Sequence, residues 1–320
     1  MFIMQNKSRF IFALPPTFFL NNNKLMAIRT LRFALFGNIY QAKKSAFINN
    51  IIGSLKENGA EVNIDSEFYH FLVDTGRATL PIDNVFSGND FDADFVVSMG
   101  GDGTFLKAAS RVGEKNIPII GVNMGRLGFL ADVHPEEFHD CVKALLEKKY
   151  SIEDRTVIKV TAEGTDLTGS DCALNDVAIL KRDNASMITI HASINGEHLT
   201  TYQADGLVVS TPTGSTAYSL SVGGPIIVPG THVFSLTAVA PHSLSMRPIV
   251  LSDESIITLR VECRSHHFLM ALDGRSEKCC EGSTITLQKA PYNIKIVKRQ
   301  ESTYYSTLRE KMMWGADTRG

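Results

Sequence analysis

The segment VVSMGGDGTFLKAA, residues 96–109, sets one carboxylate, Asp102, among Gly100, Gly101 and Gly103, between an apolar strand pattern and a helical one. Glycines let backbone N–H groups approach a phosphate closely, and a helix N-terminus that follows adds partial positive charge. Gly100, Gly101, Gly103 and Thr104 therefore read as a phosphate loop. A carboxylate would repel those phosphates, so Asp102 needs a different use, as a general base on an attacking hydroxyl or as a holder of Mg2+ through water. The competing explanation is a tight strand-to-helix turn with Asp102 as its N-cap. No GxxxxGK[ST] or GxGxxG pattern occurs, which argues against P-loop and ordinary dinucleotide-binding folds.

Two further stretches carry chemistry. YQADGLVVSTPTGSTAYSLSVGGPIIVP, residues 202–229, crowds hydroxyl side chains and glycines around a short apolar strand. Ser210, Thr211, Thr213, Ser215 and Thr216 offer donors and acceptors beside Asp205, and Tyr218 offers an aromatic face, a composition that suits a nucleotide's ribose and base edges. An ordinary cluster of turns explains the glycines and prolines but not the density of hydroxyls. In CALNDVAI, Asn175-Asp176 interrupts an apolar strand and must sit at a bulge, an edge or a site. The pair suits two ribose hydroxyls, and equally a simple turn.

The elements that must position these residues alternate. From Leu31 to about residue 149, strand patterns (LRFALFGN, EVNID, DFVVSMG, IPIIGVN) alternate with amphipathic helices, the first closing at Gly59. This predicts an α/β domain, residues 26–149, with a Rossmann-like, mostly parallel sheet, helices on both faces and ligands at the strand carboxyl ends. Between residues 150 and 300 the period becomes two, and Asn195-Gly196 marks a hairpin. A strand-rich, β-sandwich-like second domain is expected there. In residues 301–320, a final helix with Tyr305, Leu308 and Met312 on one face should pack back onto the molecule.

At 320 residues, two domains are the natural division. Net charge of −2 gives no reason to expect nucleic acid or an anionic membrane as partner. Five scattered cysteines without a CxxC spacing indicate neither zinc nor a disulfide framework, and point to a reducing, cytoplasmic setting. Cys279-Cys280 reads as a packed pair, and the nine histidines lack a metal-binding spacing. Residues 1–25 carry an apolar run after Lys7 and Arg9, broken by Pro15-Pro16 and without a cleavage site. They read as an upstream extension, from a misassigned start or as a flexible tail, before Met26.

Taken together, these stretches resemble the NAD kinases. GGDGT, LNDVAI and DGLVVSTPTGSTAYSLSVGGPI match that family's patterns, and GVNMGRLGFLAD, APHSLSMRPIVL, LDGR and TLREKMMWG fit in the same order, covering about residues 31–316. The resemblance implies ATP as phosphoryl donor, NAD as acceptor, Mg2+ carried on the donor phosphates rather than by a protein metal site, and assembly into homodimers or homotetramers. It implies Asp102 as catalytic base, with Gly103 and Lys107 near ribose and phosphates. It implies Asn175 and Asp176 as the pair that orients the dinucleotide, Asp standing where the family usually has Glu. Ser186, Gln203, Asp205, Thr216, Ala217, Tyr218, Ser219, Leu220, Ser221 and Arg275 fall at its other binding positions. A lipid kinase would follow GGDGT directly with Asn-Glu, whereas here Asn175 comes about 70 residues later. A sugar-phosphate kinase would bring arginine clusters, and a non-catalytic NAD(H) sensor would have less use for Asp102.

Overall fold

Apolar runs without alternation make strands buried on both faces, and the first half of the chain builds its sheet from them. A computed structural model describes residues 30–38, 45–75, 81–125, 128–182, 186–298 and 303–313; the extension read at residues 1–25 lies outside these. Five parallel strands, β1 (Arg32–Gly37), β2 (Glu61–Asp65), β3 (Asn84–Phe86), β4 (Phe95–Gly100) and β5 (Ile119–Asn123), lie in the order β5-β4-β1-β2-β3. Among the described residues, the α-helices of the first half are α1 (Ser45–Glu57), α2 (Ser66–Asp74), α3 (Asp102–Val112) and α4 (Phe138–Leu146). Phe95, Val97 and Met99 of β4 pack with Leu55 of α1, Phe68 of α2 and Val142 of α4. Val96, on the other face, packs with Phe105 and Ala109 of α3. Helices thus cover both faces, as the alternation predicted.

The second half is antiparallel. Its strands are β6 (Ser151–Ala162), β7 (Cys172–Ala173), β8 (Asp176–Lys181), β9 (Ile188–Ile194), β10 (Glu197–Ala204), β11 (Gly206–Ser210), then, after the single-turn helix α5 (Tyr218–Ser221), β12 (Val233–Val239), β13 (Ile249–Ser252), β14 (Ile257–Glu262), β15 (His267–Leu272), β16 (Arg275–Cys280) and β17 (Thr284–Lys298). One sheet runs β13-β12-β11-β8-β15-β16. It faces β10-β9-β14-β17 across a core containing Ile190, Leu207, Phe234, Leu259, Phe268 and Leu287. The 9–10 hairpin turns at Asn195-Gly196, both at positive φ (52° and 85°), the mirror-image turn that matches strand twist. Cys279 is buried and Cys280 exposed, as alternation along β16 requires, so they do not pack as a pair.

The two halves are laced together. β17 pairs antiparallel with β14 and β6, and near its end Ile296 pairs parallel with Ile119 of β5, making one eleven-stranded sheet. The helix α6 (Tyr304–Met312) follows. Its buried positions are Thr307 and Leu308, with Tyr304 against Phe129, while Tyr305 is 57% exposed. Of the expected face, Leu308 is buried and Met312 half-buried, while Tyr305 turns outward and Tyr304 takes its place. Among the described residues no helix is long and apolar enough to cross a membrane.

Candidate active site

β4 is buried at every residue and ends at Gly100; α3 begins two residues later, so the glycine loop lies at the carboxyl end of a central parallel strand. Its three glycines have different reasons. A Cβ on Gly100 would lie 2.2 Å from Thr104 Oγ1, so this glycine makes room for the protein itself. Gly101 and Gly103 would meet nothing within 4 Å, and neither has a positive φ. Neither packing nor backbone conformation demands glycine at these two positions. What the missing side chains leave uncovered is backbone N–H at the start of an eleven-residue helix, a surface suited to phosphate.

Asp102 is not the N-cap. That position is Gly101, without a side-chain cap bond, and Asp102 is the first helical residue. Its carboxylate instead crosses to the segment after β5. Oδ1 accepts the N–H groups of Leu130 (3.0 Å) and Ala131 (3.1 Å), and Oδ2 accepts that of Phe129 (3.0 Å). Lys311 Nζ, from α6, donates to Oδ2 at 3.3 Å. The three amides come so close because Gly128 precedes them: a Cβ there would lie 2.0 Å from Asp102 Oδ1. This segment is fastened in turn along β5, where Asn123 N–H donates to Val133 O and Val133 N–H to Gly121 O.

The Asn175-Asp176 pair stands at the start of β8, tied to the glycine loop's helix by Leu174, which packs in one core with Phe105 and Leu130. A residue from the LDGR stretch shapes it. Asp273, held at φ 49° in the 15–16 hairpin turn, accepts the N–H groups of Leu174 (2.8 Å), Asn175 (2.7 Å) and Asp176 (3.1 Å). Burial pushes the Asp176 carboxyl up to about 7, the nearby Asp273 carboxylate adds to this, and a backbone hydrogen bond from Tyr218 opposes it. Burial also raises Asp273, against the pull of its three amides.

The hydroxyl-rich segment divides into two groups. Ser210, Thr211, Thr213 and Ser215 are buried. Thr211 Oγ1 donates to Leu174 O (2.6 Å) and accepts Gly214 N–H (3.1 Å). Ser215 Oγ donates to Pro212 O (2.7 Å) and accepts Ile227 N–H (3.0 Å). These hydroxyls hold a tight 3₁₀ turn, Thr213–Thr216, rather than facing a ligand as expected. Gly214 belongs to the same packing, since a Cβ would meet Asn175 O at 2.0 Å. Ser219 is buried too, whereas Thr216, Ala217, Tyr218 and Leu220 are half-buried and Ser221 is exposed. That leaves a surface one turn long beside Asp176; Arg155 donates to Thr213 Oγ1 (3.4 Å) and lies near Tyr304, whose ring meets Phe129.

Other expected residues lie elsewhere. Ser210 pairs with Asp176 and Gly206 with Leu180, so Asp205 lies at the opposite end of β11, roughly 17 Å from Ser210 at ~3.4 Å per residue. It is ion-paired with Lys181 (2.7 Å). Gln203 and Ser186 line a cleft of about 730 Å³ on that side with Lys181, Arg264 and His266. Lys107 is paired with Glu67 (2.6 Å), both more than half exposed. Arg275 donates to Ser170 O and borders a different cavity, about 540 Å³, with Arg111 and Lys159. Sequence reasoning missed Asp273, the amides of residues 129–131 and Lys311. The signals were present, in LDGR, GRLGFLAD and TLREKMMWG, but their partners lie far away in sequence.

An α/β half with open amides at its strand ends is laced to an antiparallel half that presents a buried carboxyl beside a one-turn surface, an arrangement suited to a nucleotide. The family described as ATP-NAD kinase N-terminal domain matches residues 33–150, and ATP-NAD kinase C-terminal domain matches residues 174–299. An NAD kinase of Bacteroides fragilis is 55% identical over 289 residues, covering 90% of this chain and 100% of that one. One from Porphyromonas gingivalis is 42% identical over 288 residues, covering 90% and 99%. A crystal structure of yeast NADH kinase complexed with NADH shares the fold, with a TM-score of 0.82 over 91% of this chain and 89% of that one at 23% identity. An NAD kinase from Archaeoglobus fulgidus in complex with ATP gives 0.69 over 88% and 99% at 27% identity. The chain belongs to the NAD kinase family.

Proposed function

We propose that Asp102 takes the proton from the 2′-hydroxyl of the adenosine ribose of NAD while the amides beside Gly101 and Gly103 hold the phosphates of ATP. The enzyme is an NAD kinase: it transfers the terminal phosphoryl group of ATP to that hydroxyl and gives NADP. The bond from the γ-phosphorus to the bridging oxygen breaks, its electron pair leaves with ADP, and the ribose oxygen forms the new bond as its proton passes to the carboxylate. The observation that carries this reading is the open space at Gly101 and Gly103 on either side of the carboxylate. Asn175, Asp176 and the surface from Thr216 to Ser221 hold the dinucleotide, with the buried hydroxyls behind them as scaffold.

Mg2+ belongs to the same reading, as charge neutralisation for the donor's phosphates. Among the described residues no three His, Cys, Asp or Glu side chains converge, and Asp102 already accepts four hydrogen bonds. The described residues do not form a cage for the ion, which would be held through the donor's phosphates. A division of labour near residue 150, a homodimeric or homotetrameric assembly and a cytoplasmic setting complete the reading. Incubation with NAD, ATP and Mg2+, followed by an NADP-specific dehydrogenase, should give a signal that disappears when either nucleotide is omitted. No NADP, with a lipid phosphorylated instead, overturns it.

A further inference from the structure

Near its end the C-terminal helix carries a cation that reaches Asp102. Tyr304, Thr307, Leu308 and Lys311 follow the spacing i, i+3, i+4, i+7, one side of a helix. Thr303 fixes the start of that helix through a reciprocal cap with Ser306. Tyr304 and Lys311 both engage Phe129, the first by ring contact at 6.1 Å, the second with Nζ 4.5 Å from the ring centroid. The same ammonium reaches Asp102 Oδ2 at 3.3 Å, with side-chain exposures of 32% for Lys311 and 30% for Asp102. The contact is partly exposed and not in the core.

Its geometry is that of a loosely held charge. Three backbone amides at 3.0–3.1 Å already satisfy the carboxylate, and Lys311 is a fourth, longer donor. A partly exposed pair of this kind contributes little to a fold. A compact ammonium on a flexible four-carbon stem suits a phosphate, and Lys107, the cation expected for that task, is paired with Glu67. A donor phosphate entering beside Asp102 meets a carboxylate, so a mobile cation at that point has work to do.

Resting on the phosphoryl-transfer reading above, we propose that Lys311 is a catalytic residue whose ammonium leaves Asp102 Oδ2 for the transferring phosphoryl group when ATP arrives. The move places positive charge where the transition state spreads negative charge over the phosphoryl oxygens. It also frees an acceptor position on Oδ2 for the ribose hydroxyl. The C-terminal helix thereby becomes part of the active site.

The test compares Lys311→Ala, Lys311→Gln and Lys311→Arg in the NADP-forming assay, with melting temperatures measured alongside. Loss of one charge-stabilising donor predicts a fall in kcat of about 10²-fold for Ala and Gln, with the KM for NAD changed by less than about threefold. Lys311→Arg should recover much of the rate, and added ethylammonium should partly restore Lys311→Ala. A kcat in Lys311→Ala within about threefold of wild type overturns the proposal. So does a loss that neither arginine nor ethylammonium restores, since that assigns the helix a structural role. Failure of the wild-type protein itself to make NADP strikes the phosphoryl-transfer reading instead, which separates the two.

Discussion

Gly103→Ala should make this enzyme more stable and less active at once. Gly103 is the second residue of α3, its φ is not positive, and a Cβ would meet nothing within 4 Å. Alanine is the better helix former by about 0.5–1 kcal/mol. In a molecule of this size that corresponds to a rise in melting temperature of about 1–3 °C. The activity moves the other way. A phosphate oxygen accepting a backbone N–H sits ~2.9 Å from the nitrogen, in space that a neighbouring methyl group partly closes. Displacing a reacting group by ~1 Å costs on the order of 10²-fold in rate, so kcat/KM for ATP should fall by about that factor. Scanning calorimetry and the NADP-forming assay on the same preparation check both signs. Gly128→Ala is the control, because its Cβ would lie 2.0 Å from Asp102 Oδ1 and both quantities should fall. A Gly103→Ala protein that melts higher and keeps wild-type kcat/KM would refute the argument, since the open space would then be ordinary solvent.

Other outcomes follow from the second half of the site. The Asp176 carboxyl titrates at about 7 in the folded protein, against 3.8 for the free acid. The unfolded chain therefore releases this proton first, and stability from this group falls as pH rises from about 4 through 7. Asp176→Asn, which stays neutral, should gain stability relative to wild type at pH 8 and show little gain near pH 4, as melting curves at both values will report. Asp273→Ala leaves three amides without their acceptor and should destabilise by about 3 kcal/mol in denaturant titration, with Asp273→Asn intermediate. Lys107→Ala breaks a pair with side-chain exposures of 57% and 62%, so stability should change by less than about 0.5 kcal/mol. A raised KM for ATP in that variant would then report a phosphate contact.

Much of the architecture was legible because its signals are local. FVVSM is apolar without alternation and lies in the middle of a parallel sheet; Asn195-Gly196 takes the positive φ values its hairpin needs. α2 went unread although Asp65 caps it, because EFYHFLVD is short and follows a strand without a break. β3 is three residues long with its first two exposed, so it carries no periodicity. The double role of β17 is a matter of partners more than a hundred residues away, which no local pattern encodes. In α6 one expected position, Tyr305, turns outward, while Leu308 is buried as expected. Tyr304 and Lys311 reach Phe129 and Asp102 through an aromatic and an ionic contact, which apolar spacing alone does not select.

In the glycine loop, open space surrounds two of the three glycines, Gly101 and Gly103, whereas Gly100 makes room for Thr104. The hydroxyls of residues 210–215 are a different case. Composition shows that hydroxyls are present, but not whether they face a ligand or their own backbone, and here the buried ones close a 3₁₀ turn. Asp273 passed unnoticed beside Arg275, since its three amide partners lie nearly a hundred residues earlier.

The central claim, that Asp102 receives the proton, is tested most directly by Asp102→Asn, with NAD affinity and kcat measured on the same protein. The amide keeps one oxygen for Leu130 and Ala131, but its NH2 faces the Phe129 N–H and Lys311, so a modest loss of stability, about 1–3 kcal/mol, is expected. A protein that still folds should bind NAD with an affinity within about threefold of wild type while kcat falls by about 10²–10⁴-fold. Turnover within about tenfold of wild type, with NAD bound normally, would contradict the account and leave Asp102 as a clasp between two loops.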